Sequence, residues 1–125
     1  MNSSTPSLYD RIGGKFTINA AIDRFYEKIF GDERLKVFFK NINLERQIEK
    51  QKYFMSIAFG GPVYGKPRDM RAIHAPLLAM GLNDTHVDIF LEHFRATLQE
   101  IGVRKDLIEE ALSVANSYRD EVLNR

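Results

Sequence analysis

The chain contains no cysteine, and its charges nearly cancel. Without cysteine it has no disulfide, zinc-thiolate site, thiolate nucleophile, iron–sulfur cluster or thioether-linked cofactor. The 18 basic and 17 acidic residues are interleaved and leave a net charge of +1. No segment therefore concentrates positive potential for nucleic acid or for a membrane surface, and we expect neither partner.

Long apolar runs are also absent, since no stretch approaches the roughly 20 residues that cross a bilayer. The N-terminal residues are polar, with no basic segment followed by an apolar run of signal-peptide length. This pattern predicts a cytoplasmic protein with a short flexible arm over residues 1–6. At 125 residues, of which 44% are hydrophobic, the chain suits a single globular domain spanning 1–125.

Helical periodicity runs through nearly the whole sequence, and no segment alternates for long enough to be a strand. The pattern predicts an all-α domain whose helices are separated by glycine and proline. In chain order we expect a short helix over Leu8–Ile12 stopped at Gly13 and Gly14, a longer helix ended at Gly31, a turn over 33–39 after an N-cap at Asp32, a helix over 44–59 after an N-cap at Asn43, a loop over 60–68, a brief or distorted helix around His74 and Pro76, a helix ended near Gly102, and a terminal helix reaching Val122.

Two glutamines, Gln47 and Gln51, stand one turn apart on an otherwise apolar helical stripe. A buried amide without a partner costs roughly 1 to 3 kcal/mol, so the pair needs mutual partners or a ligand. The alternative is a rotated helix with one glutamine at the surface. Tyr26 lies beside Phe25 on an inward stripe, where its hydroxyl needs a partner, unless the ring ends at the surface.

The three histidines differ in their surroundings. His86 and His93 avoid the apolar stripe of their helix, so we expect both to face solvent. His74 has apolar neighbours at Ile73 and Leu77. It is either a satisfied core residue or a ligand, and no second His, Cys or carboxylate stands at zinc-ligand spacing from it. A single ligand beside a large apolar pocket suits haem iron, which takes four nitrogens from the macrocycle.

In sequence the chain resembles the group I truncated haemoglobins of bacteria, cyanobacteria and ciliates. The resemblance covers residues 8–123. Each matching segment is weak evidence alone, but all of them occur in order at the family's spacing. The segments are Leu8-Tyr9-Asp10-Arg11-Ile12-Gly13-Gly14, Arg24-Phe25-Tyr26, Asp32-Glu33-Arg34-Leu35, Phe38-Phe39, Ala58-Phe59-Gly60-Gly61-Pro62, Met70-Arg71-Ala72-Ile73-His74 and Gly81-Leu82.

The resemblance implies a truncated globin, a two-over-two helical sandwich around a haem, with the iron-ligand helix reduced to little more than a turn. His74 matches the proximal histidine, which binds iron as a neutral imidazole. Tyr26 matches the distal tyrosine that donates a hydrogen bond to bound oxygen. Gln47 and Gln51 match the positions that assist or orient this tyrosine, and Phe39 matches the aromatic residue that packs on the porphyrin.

Further cofactor-binding positions follow from the same resemblance. Lys50 matches a basic residue near a haem propionate, with a solvated lysine as the alternative. Met70 and Arg71 belong to the segment that leads to the proximal histidine. Met55, directly after Phe54, occupies a site where some relatives have a phenylalanine proposed to gate an apolar tunnel, so gating is in doubt here.

One departure concerns haem attachment. Some cyanobacterial relatives carry a haem-bonded histidine in the last helix, where this chain has Tyr118. The resemblance with this departure implies a non-covalent haem b.

The resemblance also implies a monomer that reversibly binds oxygen, carbon monoxide and nitric oxide. The enzymatic alternative is nitric oxide dioxygenase or peroxidase activity in nitrosative or oxidative stress defence, which needs a separate reductase. A haem sensor is disfavoured because no output domain follows Arg125. A haem-free helical interaction module is the remaining alternative, and one absorption spectrum would separate it from a haem protein.

Overall fold

The computed structural model describes residues 6–63 and 69–125. Their regular elements are all helical, which confirms the predicted all-α class, and none of these helices is long and apolar enough to cross a membrane. Most of the predicted arm and the 64–68 part of the predicted loop lie outside the described residues. The elements are α1 (Leu8–Ile12), α2 (Gly14–Phe30), α3 (Glu33–Lys36), a 3-10 turn (Val37–Phe39), α4 (Leu44–Ala58), α5 (Met70–Leu78), α6 (Asp84–Glu100), α7 (Lys105–Asn116) and α8 (Arg119–Val122).

Side-chain hydrogen bonds cap the N-termini of two helices at the residues that the sequence predicts. The Asp32 carboxylate accepts the Arg34 N–H at the start of α3, and the Asn43 side chain accepts the Arg46 N–H at the start of α4. The break between α1 and α2 depends on Gly13, whose φ of 122° favours glycine. A Cβ built there would lie 2.0 Å from the hydroxyl oxygen of Thr17.

Two elements are more helical than predicted. The expected turn over 33–39 is α3 followed by the 3-10 turn. Helix α5, which the resemblance implied to be little more than a turn, runs over nine residues and contains Pro76 in its interior. The proline leaves the carbonyl of Ala72 without its helical N–H partner. The helix ends only two residues later, at Leu78, so the disruption is confined to its last turn.

The terminal helix, predicted to reach Val122 without interruption, is divided in two. Helix α7 ends at Asn116, where the Ser117 hydroxyl donates a 2.5 Å hydrogen bond to the carbonyl of Val114. Tyr118 then has a φ of −92° and a ψ of 1°, outside the helical region. A local serine bond of this kind competes with the helical ladder, and a new helix, α8, starts at Arg119.

The core lies where α2 crosses α6, between the layers formed by α2 with α4 and by α6 with α7. Phe25 of α2 is fully buried and meets Phe90 and Phe94 of α6 edge to face, with ring centroids 4.5 and 5.7 Å apart. Such aromatic pairs stabilise the packing beyond the area that they bury. This cluster holds α2 rigidly, and α2 carries Tyr26 next to Phe25.

We expect Phe25→Ala to lower the free energy of unfolding by about 3 to 5 kcal/mol, because it leaves a cavity at this crossing. The matched control is Phe16→Ala on the same helix, where the ring is 85% exposed. Its effect should stay within about 0.5 kcal/mol. Chemical denaturation of both variants measures the difference, and equal losses would contradict this account of the core.

Candidate cofactor-binding site

A mostly apolar cavity of about 220 Å³ lies between α2, α4, α5, α6 and the C-terminal residues. Two of its wall residues, Ile42 and Ile73, are 42% and 36% exposed. Large apolar side chains that face a cavity in this way are typical of a ligand-binding groove, and a flat apolar ligand would cover them. The wall consists of Tyr26, Leu35, Phe38, Phe39, Ile42, Gln47, Gln51, Phe54, Met55, Ile73, His74, Leu77, Leu82, His86, Val87, Phe90, Leu91, Ala115, Tyr118, Arg119 and Val122.

His74 contributes the imidazole that we expect to ligate iron. It lies on the cavity wall in the middle of α5, and its Nδ1 is 2.8 Å from the carbonyl oxygen of Met70, one turn earlier. Because a carbonyl only accepts hydrogen bonds, Nδ1 carries a proton, and in the neutral ring the lone pair then lies on Nε2. This is the neutral tautomer in which histidine ligates metals through Nε2.

Tyr26 of α2 and the two glutamines of α4 are brought together on the wall of the same cavity. Tyr26 is only 2% exposed, and its hydroxyl accepts a hydrogen bond from Gln47 Nε2 at 3.3 Å. Gln51 lies on the same wall, one turn further along α4. Tyr26 is therefore not at the surface, and α4 is not rotated so as to turn one glutamine away from the cavity. A tyrosine hydroxyl can both accept and donate hydrogen bonds.

Three further predicted residues lie on the wall. The Phe39 ring packs edge to face on Tyr26, with centroids 5.8 Å apart. Phe54 packs in the same way on Tyr118 at 4.8 Å, and Met55 is buried on the same wall. Aromatic and thioether side chains therefore surround the polar pair.

The other three predicted residues do not place their side chains on this wall. Lys50 is exposed on α4, and Met70 contributes the main-chain carbonyl that binds His74. The Arg71 guanidinium points to the C-terminus, where it donates a 3.0 Å hydrogen bond to the main-chain oxygen of Arg125. The resemblance to the truncated haemoglobins implied these three positions, and a matched position does not fix where a long side chain points.

The prediction that His86 faces solvent is wrong. His86 is half-buried on the cavity wall, with its ring 4.9 Å from that of Phe38. Its Nδ1 accepts the main-chain N–H of Asn83 at 3.1 Å, in a capping box at the start of α6, so Nε2 carries the proton. Asn83 with a histidine three residues later was the available sequence signal.

The same prediction is wrong for His93, whose Nε2 lies 2.7 Å from Asp32 Oδ2. Asp32 also binds the guanidinium of Arg34, and these two hydrogen bonds, that of Arg34 first, hold its pKa far below the usual value. The contact connects the N-cap of α3 to the middle of α6. It thereby anchors the segment that brings Leu35 and Phe39 to the wall.

The model of the bacterial-like globin family matches residues 7–124. A group 1 truncated haemoglobin of Synechocystis sp. is 39% identical, over 95% of this chain and 98% of its own. One from Tetrahymena thermophila is 35% identical, over 96% and 97%. The 2/2 haemoglobin of Synechococcus sp. PCC 7002, solved in the cyanomet state with covalently attached haem, aligns with a TM-score of 0.90 and 41% identity, over 96% of this chain and 100% of its own. This chain therefore belongs to the bacterial-like globins, as a haem-binding member of the group 1 truncated haemoglobins.

Proposed function

We propose that the protein reversibly binds oxygen, carbon monoxide and nitric oxide at a haem b held by His74. The observation that supports this best is one cavity with a ligating imidazole tautomer on one wall and the Tyr26–Gln47 hydrogen bond on another. The bound haem supplies a ferrous iron as the site for a diatomic gas. The side chains of this chain orient the cofactor and select among the gases.

On the proximal side, the Met70 carbonyl keeps the proton on His74 Nδ1 and fixes the ring orientation. A hydrogen bond of this kind also raises the basicity of the other ring nitrogen. His74 is therefore prepared to ligate iron before the cofactor arrives.

On the distal side, Gln47 restrains the hydroxyl of Tyr26 inside a mostly apolar cavity. We propose that Tyr26 donates to a bound gas that accepts hydrogen bonds strongly, and that Gln51 helps to orient it. Oxygen should be held through this bond, whereas carbon monoxide carries much less negative charge and should gain little.

At the cavity wall, we propose that polar donors contact the carboxylates of the haem. His86 presents a protonated Nε2, and Arg119 lies on the wall with its charge shared between Asp84 and Asp88. Lys50, exposed on α4, stays a proposed propionate partner.

Non-covalent attachment is also proposed, because Tyr118 faces the cavity as a phenol that packs on Phe54. Complete extraction of the haem into acidic organic solvent would support it. A monomeric state and a cytoplasmic location remain predictions.

His74→Ala should abolish stable haem retention, and added imidazole should restore part of the wild-type spectrum. The reason is that His74 is the proposed protein ligand on the proximal side. Absorption spectra of the reduced protein, with and without carbon monoxide, measure this. His86→Ala serves as the comparison and should keep the proximal bond. A wild-type reduced spectrum in His74→Ala, together with its loss in His86→Ala, would show that the ligand is wrongly assigned.

Tyr26→Phe should raise the oxygen dissociation rate about 10-fold or more while hardly changing carbon monoxide release. A hydrogen bond to a charged acceptor contributes about 1.5 to 3 kcal/mol, which corresponds to a factor of roughly 10 to 150. The matched control is Tyr118→Phe, the same substitution elsewhere on the cavity wall. Stopped-flow displacement gives both rates, and equal acceleration of the two gases would indicate steric gating instead.

An enzymatic role is the second candidate. If Tyr26, held by Gln47, donates to bound oxygen, oxygen is released slowly and is available to react with nitric oxide to give nitrate. If the protein is a nitric oxide dioxygenase, nitrate formation should continue over many turnovers with a cellular reductase and stop when the electron donor is removed. A peroxidase would instead turn over with peroxide. Failure of every donor to sustain nitrate formation would leave reversible gas binding as the function.

A further inference from the structure

The helix that carries His74 has little apolar anchoring of its own. None of the nine residues of α5, all of which the structure describes, is buried. Pro76 removes one of its main-chain hydrogen bonds. Among the described elements, α8 is the one that α5 contacts most. The position of the proposed iron ligand therefore depends on the C-terminal residues.

Two reciprocal hydrogen bonds connect α5 to the residues around and after α8. The side-chain amide of Asn124 donates to the main-chain carbonyl of Arg71 at 3.0 Å, and the Arg71 guanidinium donates to the main-chain oxygen of Arg125 at the same distance. Asn124 has a φ of 56°, in the left-handed region that asparagine tolerates better than most residues. This backbone conformation accompanies the bond to α5.

The same C-terminal segment is fixed to the first turns of α6. Arg119 binds Asp84 at 2.9 Å and Asp88 at 2.6 Å, and Arg125 binds Asp84 at 2.7 Å. Single exposed ion pairs contribute little, but here one carboxylate is shared by two guanidiniums. Their hydrogen bonds, that of Arg125 first, lower the pKa of Asp84 below its usual value.

The segment also reaches the cavity itself. Tyr118 and Arg119, at the start of α8, and Val122, at its end, lie on the wall with His74. Residues 119–125 therefore contact α5, α6 and the proposed haem site together.

We propose that residues 119–125 form a C-terminal clamp that positions α5, with Asn124 and Arg71 as its positioning residues. The clamp holds the His74 imidazole toward the iron and so sets how long the protein retains its haem. The inference rests on the proposed ligation by His74. It assigns to Asn124, which is exposed and lies outside the cavity, control over the proposed bond between His74 and iron.

Asn124→Gly tests the clamp in the haem-loaded protein, because glycine keeps the positive φ while the amide donor is lost. Haem transfer to excess apomyoglobin should be about 2- to 10-fold faster, the range expected for one hydrogen bond. The resonance Raman band of the ferrous iron–histidine stretch should also shift or broaden. The matched control is Asn41→Gly, whose φ is 62°. It should leave that band unchanged and lose haem at nearly the wild-type rate.

Arg71→Ala gives an independent test of the same clamp. It should also accelerate haem loss, whereas Arg95→Ala, which breaks the Arg95–Glu109 pair between α6 and α7, should not. The Arg71→Ala, Asn124→Gly double variant should lose haem less rapidly than the product of the two single effects predicts, because both residues act in one unit.

The clamp would be overturned if both single variants matched their controls in transfer rate and in the stretching band, or if their effects simply multiplied. Failure of the proposed ligand assignment gives a different result. In that case wild-type protein would show no iron–histidine band that depends on His74.

Discussion

The His74 imidazole has to meet the cavity in one tautomer and one orientation, although the helix that carries it buries no side chain. The hydrogen bond from Nδ1 to the carbonyl of Met70 satisfies the chemical part of this requirement within a single helical turn. The spatial part is met from outside the helix, by contacts with the C-terminal segment. A local hydrogen bond thus sets the tautomer of His74, and tertiary contacts support the helix that carries it.

The part of the cavity wall that α2 and α4 contribute is constructed differently. Tyr26 is adjacent to Phe25, which is fully buried at the centre of the α2–α6 crossing. The packed core therefore holds the Tyr26 side chain in place. Gln47 reaches it from α4, which packs directly on α2. The proposed hydrogen bond from Tyr26 to a bound gas requires a donor that is held within about 0.5 Å, and a packed core provides this. Helix α5 has no such support, because none of its residues is buried.

The predictions for His86 and His93 failed for one reason, which is that helical periodicity identifies the apolar stripe of a helix but not the contacts of the polar groups beside it. His86 and His93 lie off the apolar stripe of α6, yet both are half-buried with polar partners. His86 binds Asn83 in a capping box at the start of α6, and His93 binds Asp32, the N-cap of the distant helix α3. The Arg71 guanidinium bonds to the main-chain oxygen of Arg125, and the cofactor-binding role that the resemblance implies for Arg71 stays a prediction.

The sequence by itself determined the helical class, the N-caps at Asp32 and Asn43 and the approximate helix limits, since these depend on local propensity and periodicity. It also brought His74, Tyr26 and Gln47 forward as candidates, because polar groups on apolar stripes require partners. Only the tertiary structure decided which partners they have. The attachment of α8 to α5 was equally invisible, because it depends on contacts between segments about 50 residues apart in the chain. The break before α8 accompanies the local hydrogen bond from Ser117 to Val114, which helical periodicity does not report.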